Sequence, residues 1–306
     1  MPPDTAPVRD NPVPGPLPDG AEDTDRLEAG LDALHTSTDE RAPLLVRLRR
    51  SVLPPVVAVL VLLVAWQGFV WTGLKPTYTV PGPVDVWRAF TDAWSSGDAQ
   101  RAFRTSITRG LFGFVIAVAV GTPLGLLVAR VRLVRTAIGP LVTGLQVLPS
   151  VAWVPAGIIW FGLSDATVYF VVLMGAVPSI VNGLVAGVDQ VPPLYRRVGR
   201  VLGAGRWEMV RLVILPAALP GYLAGLKQGW AFSWRSLMAA EIIAVGGQIG
   251  FGLGAMLQQG RELSDMSVVM LAIVLILVAG IAVELLVFAP LERRVLRSRG
   301  LFAETA

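Results

Sequence analysis

The stretch GRVLGAGRWEMVRLVILPAALPG, residues 199–221, is basic at its start and apolar at its end. A Gly-Ala-Gly interrupts it, and Pro216 and Pro220 stand four residues apart near its end. Just upstream, Leu194, Val198 and Leu202 recur at i, i+4 and i+8, so a helix would carry them on one face. Arg196, Arg197 and Arg200 fall on its other faces. The glycines at 203 and 205 break that helix with flexible backbone. Trp207, Val210 and Ile214 then make a second apolar face before Leu215 and Pro216, where a proline is tolerated because a helix start has no use for its N–H. The pattern predicts two short helices and a turn over residues 189–215. Two apolar faces on a charged connection need a cover: either the protein's own helix ends or a docked partner.

On both sides of this connection the chain is built for lipid. Of its 306 residues 54% are apolar and 16% charged, with a mean hydropathy of +0.62, too little polar surface for a soluble domain of that size. Lipid cannot satisfy exposed backbone groups, so a span needs about 20 helical residues. Six such runs occur, near 52–70, 106–129, 138–160, 166–188, 217–245 and 266–288. Pro149 and Pro155 predict kinks in the third. Arginines cluster in 41–50, 130–135, 196–211 and 293–299, and six crossings put all four clusters on one face. The positive-inside rule makes that face cytoplasmic, with both termini inside. The net charge of +4 and pI near 9.9 follow from these flanks and do not call for nucleic acid.

Residues 1–45, rich in Pro, Asp, Glu and Thr, read as a disordered cytoplasmic leader, and 46–300 as the transmembrane domain. The leader lacks the basic start and short apolar core of a signal peptide. Between the first two spans, Trp87, Phe90 and Trp94 share a helical face, which suits a helix lying in the interface or packed on the bundle.

Chemistry-bearing motifs are scarce. There are no cysteines and one histidine, His35 in the leader, so neither thiol nor histidine–zinc chemistry is expected, nor any cofactor or metal. No G-x-x-x-x-G-K-[ST] is present to cradle phosphates, and GFGLG at 250–254 follows no strand. Gly221, Gly225 and Gly229 have the G-x-x-x-G spacing of close helix packing, repeated by Gly121 and Gly125. Lys227 and Arg235 lie eight residues apart inside the fifth span and must find a polar pathway or a partner. An anionic solute would fit them; so would Glu241 or Glu284, and Glu241 itself lies in an apolar run that a basic partner would make less costly.

The quoted stretch resembles the EAA loop of binding-protein-dependent ABC importer permeases, in which Glu-Ala-Ala, three residues and a glycine precede Leu-Pro and a second proline. Gly203, Leu215, Pro216, Ala217, Ala218 and Pro220 match that pattern. LGAGRWEMVRLVILPAALPGYLAGLK, AAEII at 239–243, GFGLGAML at 250–257 and VPGPVDVW at 80–87 are similar to the nitrate/sulfonate/taurine-type branch. The resemblance spans roughly residues 50–300. It departs at Arg197, which stands where the family has its acidic residue, ahead of Val198 and Gly199. Arginine cannot reproduce a glutamate's contacts, which points to an altered contact and not to lost docking.

The resemblance implies an all-α, MetI-like fold of six spans, N-in and C-in, with no catalysis of its own. It implies two copies of the chain around the path of a small anion such as a sulfonate or nitrate. A cytoplasmic ATPase dimer would dock on the loop through Val198, Gly199, Leu202, Gly203, Ala204, Trp207, Leu215 and Pro216, and an extracytoplasmic binding protein would deliver the solute. The residues alone also admit a secondary transporter working through Lys227, Arg235, Glu241 and Glu284, or a membrane scaffold with no pathway. An inverted repeat, the mark of many secondary transporters, is not visible.

Overall fold

The computed structural model describes residues 44–297, with side chains from Leu53 onward. The expected leader, residues 1–45, lies outside the described residues but for its last two, as do His35 and the end of the basic tail. Contacts divide the chain into two units, residues 1–64 and 65–306. The described part of the first unit is the opening of helix α1 (Leu44–Trp71). It presents Val57, Val61 and Val64 outward, an apolar surface suited to lipid.

The described elements of the second unit are helices, with no strand among them. They run α2 (Pro83–Ser95), α3 (Asp98–Arg130), α4 (Arg132–Val147), a short 3-10 turn, α5 (Val154–Phe161), α6 (Asp165–Asp189), α7 (Pro193–Val201), α8 (Arg206–Ile243), α9 (Leu253–Glu262) and α10 (Met266–Arg297). Among the described residues, α1 from Leu53, α3, α6, α8 and α10 are each long and apolar enough to cross a membrane. The result is an all-α, multi-span membrane fold.

The third expected span, 138–160, is not one helix. α4 and the segment Ser150–Phe161 meet at an angle of 99°. The cause is Pro149, whose ring pushes the preceding residue out of the α region. Leu148 is accordingly extended, at φ −67° and ψ 125°. Pro155 sits in the first turn of α5, where proline is tolerated, and kinks nothing.

The expected boundary near residue 217 also moves. The second short helix anticipated before Pro216 is the start of α8, which runs unbroken from Arg206 through a π-helical stretch, Met209–Ile214. A proline inside an α-helix collides with the carbonyl four residues back. The wider π turns just before Pro216 relieve that collision. A second π stretch, Glu284–Phe288, lies in α10, which continues past the expected end at 288 to Arg297.

α6 is the central helix, with Val168, Val171, Ile180 and Leu184 buried between α3 and α8. Gly113 faces Val172, Gly121 faces Ile180 and Gly125 faces Leu184, equal steps along both helices, so α3 and α6 run parallel. On the other side Gly229 faces Ala176, Gly225 faces Gly183 and Gly221 faces Gly187, so α8 runs antiparallel to α6. The two helices touch there backbone to backbone: a Cβ on Gly225 would lie 2.5 Å from the Gly183 Cα. The amphipathic α2 packs Val86, Ala89 and Phe90 inward and leaves Trp87 and Trp94 exposed.

Candidate functional site

Two regions carry what this fold can do: a helical hairpin at its arginine-rich end, and the charged groups of α8. In the hairpin, α7 ends in a glycine cap. Gly203 takes φ +79°, its N–H donates to the Arg200 carbonyl at 3.0 Å, and the Ala204 N–H donates to the Gly199 carbonyl at 3.0 Å. This paired closure satisfies carbonyls that a helix end leaves orphaned. Gly199 is buried because Met209 and Val213 of α8 press on it; a Cβ there would lie 2.7 Å from the Met209 Cε. α7 is thereby folded back onto the start of α8.

What the hairpin leaves uncovered includes several large apolar side chains beside its arginines. Leu194 and Val198 are exposed, Leu202 is 79% exposed, Val201 86% and Trp207 67%, while Leu215 and Pro216 continue into α8. Arg130 holds Trp207 by its face, 5.9 Å from the ring centroid. Arg135 and Asp189 form a two-pronged pair at 2.8 and 2.5 Å, and Arg196 donates to the Val188 carbonyl at 3.3 Å. The first and last of these tie the hairpin to the end of α3 and to α6, and the Arg135–Asp189 pair ties α4 to the end of α6. Arg197 is exposed.

In α8 the structure distributes the charges differently from the sequence expectation. Glu241 is fully buried and its basic partner is Arg109 of α3, at 3.3 Å, not Arg235. The reason is angular: six residues turn a helix through about 600°, so positions 235 and 241 point to different faces. Glu241 also accepts from the Ser106 hydroxyl at 2.6 Å and the Gly254 N–H at 3.1 Å. Arg109 donates further to Asp165 at 2.6 Å and to the Gly250 carbonyl at 3.0 Å. Gly252 and Gly254 lie directly on the Glu241 side chain, which leaves no room for a Cβ at either position.

Lys227 meets Glu284 at 2.5 Å and Glu292 at 3.5 Å, both from α10. Arg235 is exposed, donates to the Ala231 carbonyl at 3.2 Å, and lies 4.8 Å from the Phe232 ring centroid. Its contacts among the described residues include no carboxylate. Ser106, Arg109, Asp165 and Glu292 were not legible as a set. Their partners lie up to 147 residues apart, and the one signal was that Arg109 falls inside an apolar run.

With this geometry in place, comparison with known proteins is informative. The family model described as "Binding-protein-dependent transport system inner membrane component" matches residues 121–297, a stretch that contains α7, α8 and α10. The chain is similar to the bicarbonate transport system permease protein CmpB of Synechococcus elongatus, 30% identical over 262 residues, covering 81% of this chain and 91% of that protein. It is similar to the nitrate import permease protein NrtB of Synechocystis, 28% identical over 243 residues, covering 76% and 86%. It is also similar to the taurine transport system permease protein TauC of Escherichia coli, 30% identical over 212 residues, covering 69% and 73%.

Proposed function

Because this chain belongs to the family of binding-protein-dependent transport system inner membrane components, the permease subunits of ABC importers, we propose that two copies enclose the path of a small solute bearing an anionic group. The chain is a multi-pass membrane subunit and not an enzyme. ATP is hydrolysed on separate cytoplasmic subunits docked on the α7 hairpin, and an extracytoplasmic binding protein delivers the solute at the opposite face. The observation that carries this reading is the hairpin: a short helix pinned by Gly199 and capped at Gly203, presenting Val198, Val201, Leu202 and Trp207 uncovered at the arginine-rich end. An exposed apolar patch beside charged residues is the surface a partner covers. Arg197, exposed at its edge, seeks an acceptor on that partner. The solute class follows the relatives, whose names give bicarbonate, nitrate and taurine. A gradient-driven transporter would link Lys227, Arg235, Glu241 and Glu284 in one relay, whereas Glu241 is held by Arg109 and Lys227 by Glu284.

The docking test is Leu202→Asp with Gly203→Asp. Both positions point into open space, since Leu202 is 79% exposed and a Cβ at Gly203 meets nothing within 4 Å. Insertion and melting should stay near wild type, the left-handed φ at 203 adding about 1–2 kcal/mol of strain. ATPase co-purification and solute uptake should be lost. Well-expressed variants that retain both would refute the docking role.

We also read the topology as six crossings with both termini inside. The parallel course of α3 and α6 supports it: α3 ends at Arg130 at the arginine-rich end, and α6 starts at Asp165 beside Arg109, near the far end of α3. The bent α4–α5 pair therefore has to return the chain across the membrane. Single cysteines at Ser96 and Ser164 should react with an impermeant maleimide in intact cells, and one at Val201 only after lysis. Reaction at 201 in intact cells, or its absence at Ser96, would reverse the orientation.

A further inference from the structure

The surface of α2 falls into three sectors. Val86, Ala89, Phe90 and Ala93 pack on the core of the bundle. Asp85, Arg88, Asp92 and Ser95 form a polar side. Val84, Trp87, Thr91 and Trp94 are all exposed and carry no charge. At about 100° per residue the centres of these sectors lie roughly 100–130° apart, so each looks in a different direction. Phe90 bridges the two indoles from the packed side, with ring centroids 5.3 Å from Trp87 and 5.4 Å from Trp94. A continuous aromatic ridge thus stands outside the bundle.

The surroundings fix the other two directions and the depth. The polar side lines a cleft of about 800 Å³ together with Asp98, which opens α3, and Asp265, which caps α10. Both helices begin there, at the end of the bundle opposite the hairpin, so the polar side faces water. The depth of α2 follows from α1. The Trp66 indole N–H donates to the Pro81 carbonyl at 3.1 Å, and a Cβ on Gly82, just ahead of α2, would lie 3.4 Å from the Gln67 Oε1. Trp66 lies inside the apolar span, five residues before its end at Trp71, which is about 7–8 Å along the axis. An interfacial helix buries its apolar face about 5–10 Å into the boundary of headgroups and acyl chains, the same depth. The far end of α2 is shallower: Gln100 donates to the Trp94 carbonyl at 2.8 Å, and the neighbouring Arg101 and Arg104 are exposed.

We infer that the aromatic ridge is seated in the outer leaflet of the bilayer, with α2 at the corner where bundle, lipid and water meet and Trp87 deeper than Trp94. The inference goes beyond the importer reading and rests only on its topology, which puts this end of the bundle outside. Tryptophan suits that level, because its ring is apolar while its N–H finds headgroups or water. Left in water, two indoles and a valine on one ridge would be an apolar patch without a cover. A soluble partner cannot reach below the end of α1, whereas lipid is already there. The side of α2 open to an extracytoplasmic partner is therefore the polar one.

The chain has no cysteine, so single nitroxide labels can be set by Trp87→Cys and Thr91→Cys on the ridge and by Arg88→Cys and Asp92→Cys on the polar side. Thr91→Cys removes only a hydroxyl bonded to the Arg88 carbonyl, so the ridge is tested even where loss of an indole disturbs folding. In full-length protein in lipid nanodiscs, oxygen, which concentrates in lipid, should relax the labels at 87 and 91 several-fold more than a water-soluble nickel chelate does. The labels at 88 and 92 should show the reverse. Nickel dominance at 87 and 91 overturns the inference. So does shielding of both positions from both reagents, the result a second copy of the chain packed on the ridge would give. Maleimide reaction of Ser96→Cys in intact cells reads the topology separately. Oxygen dominance at 87 and 91 with an unreactive Ser96→Cys overturns the orientation and leaves the lipid seat, and nickel dominance with a reactive Ser96→Cys overturns the lipid seat alone.

Discussion

Gly225→Leu is expected to yield no monodisperse protein, whereas Gly144→Leu is expected to behave as wild type. Both are glycines within helices of the same membrane domain, and the difference lies in what surrounds them. A Cβ at Gly144 meets nothing within 4 Å. At Gly225 it falls 2.5 Å from the Gly183 Cα, and one helical turn away a Cβ at Gly221 falls 2.6 Å from the Gly187 Cα. Overpacking a core commonly costs about 1–3 kcal/mol when neighbouring side chains can shift. Here the obstacle is backbone, so α6 and α8 must separate along their whole contact and the loss exceeds that range. α6 is the central helix, so separating it from α8 also disturbs its seat on α3. Size-exclusion profiles of fluorescently tagged variants in mild detergent, followed by melting curves, check this. Wild-type melting of Gly225→Leu would show that the close approach is not maintained in the folded protein.

That contact also marks how far the sequence could be read. Gly221, Gly225 and Gly229 stood out by spacing, and Gly183 and Gly187 in the preceding span have the same spacing. Two matched runs on consecutive spans were the available signal for a helix pair, but G-x-x-x-G names no partner. Span positions were legible because hydropathy is a local property. Internal geometry was not: the apolar run through 138–160 is continuous, and only the Leu-Pro step at 148–149 hints at a bend of 99°. The start of α8 was misplaced for a related reason. Pro216 looks like a helix start when only α geometry is considered, while a π stretch lets the helix pass through it. Local turn chemistry at Gly203 was readable, since a glycine closing a basic, apolar-faced helix is an ordinary cap. The charged residues were readable as needing partners but not as to which, because Lys227 and Arg109 find carboxylates from distant elements.

Arg109→Ala is expected to destabilise the protein by about 3–5 kcal/mol, the usual result of stripping a buried charge of its partner. Glu241 is 0% exposed, and the Arg109 side chain only 6%. Removing the guanidinium strands the Glu241 carboxylate with only the Ser106 hydroxyl and the Gly254 N–H, and leaves the Gly250 carbonyl and Asp165 without their donor. Arg109→Lys should rescue little, because one ammonium cannot reproduce a fork that reaches Glu241, Gly250 and Asp165 together. The reverse deletion should be milder. In Glu241→Met the arginine keeps Asp165 at 2.6 Å and the Gly250 carbonyl at 3.0 Å, so its charge is not abandoned. The double variant Arg109→Met, Glu241→Met should recover part of the loss, since apolar groups can replace a buried pair without the desolvation penalty of either charge. Detergent melting of wild type, Arg109→Met, Glu241→Met and the double variant forms a double-mutant cycle, and a coupling of about 1 kcal/mol or more is expected between residues in direct contact. The network ties α3 and α6 to α8 and to the loop leading into α9, because Ser106 also accepts the Leu253 N–H at 2.8 Å. Weakening it should therefore loosen the 245–252 loop before the α6–α8 contact yields. Cysteines at Ala244, buried at the root of that loop, and at Val210 can read that order: in Arg109→Ala the first should become reactive while the second, at the opposite end of α8, stays protected. Equal melting of all four proteins, or simultaneous exposure of both cysteines, would mean the buried pair does not hold this end of the bundle.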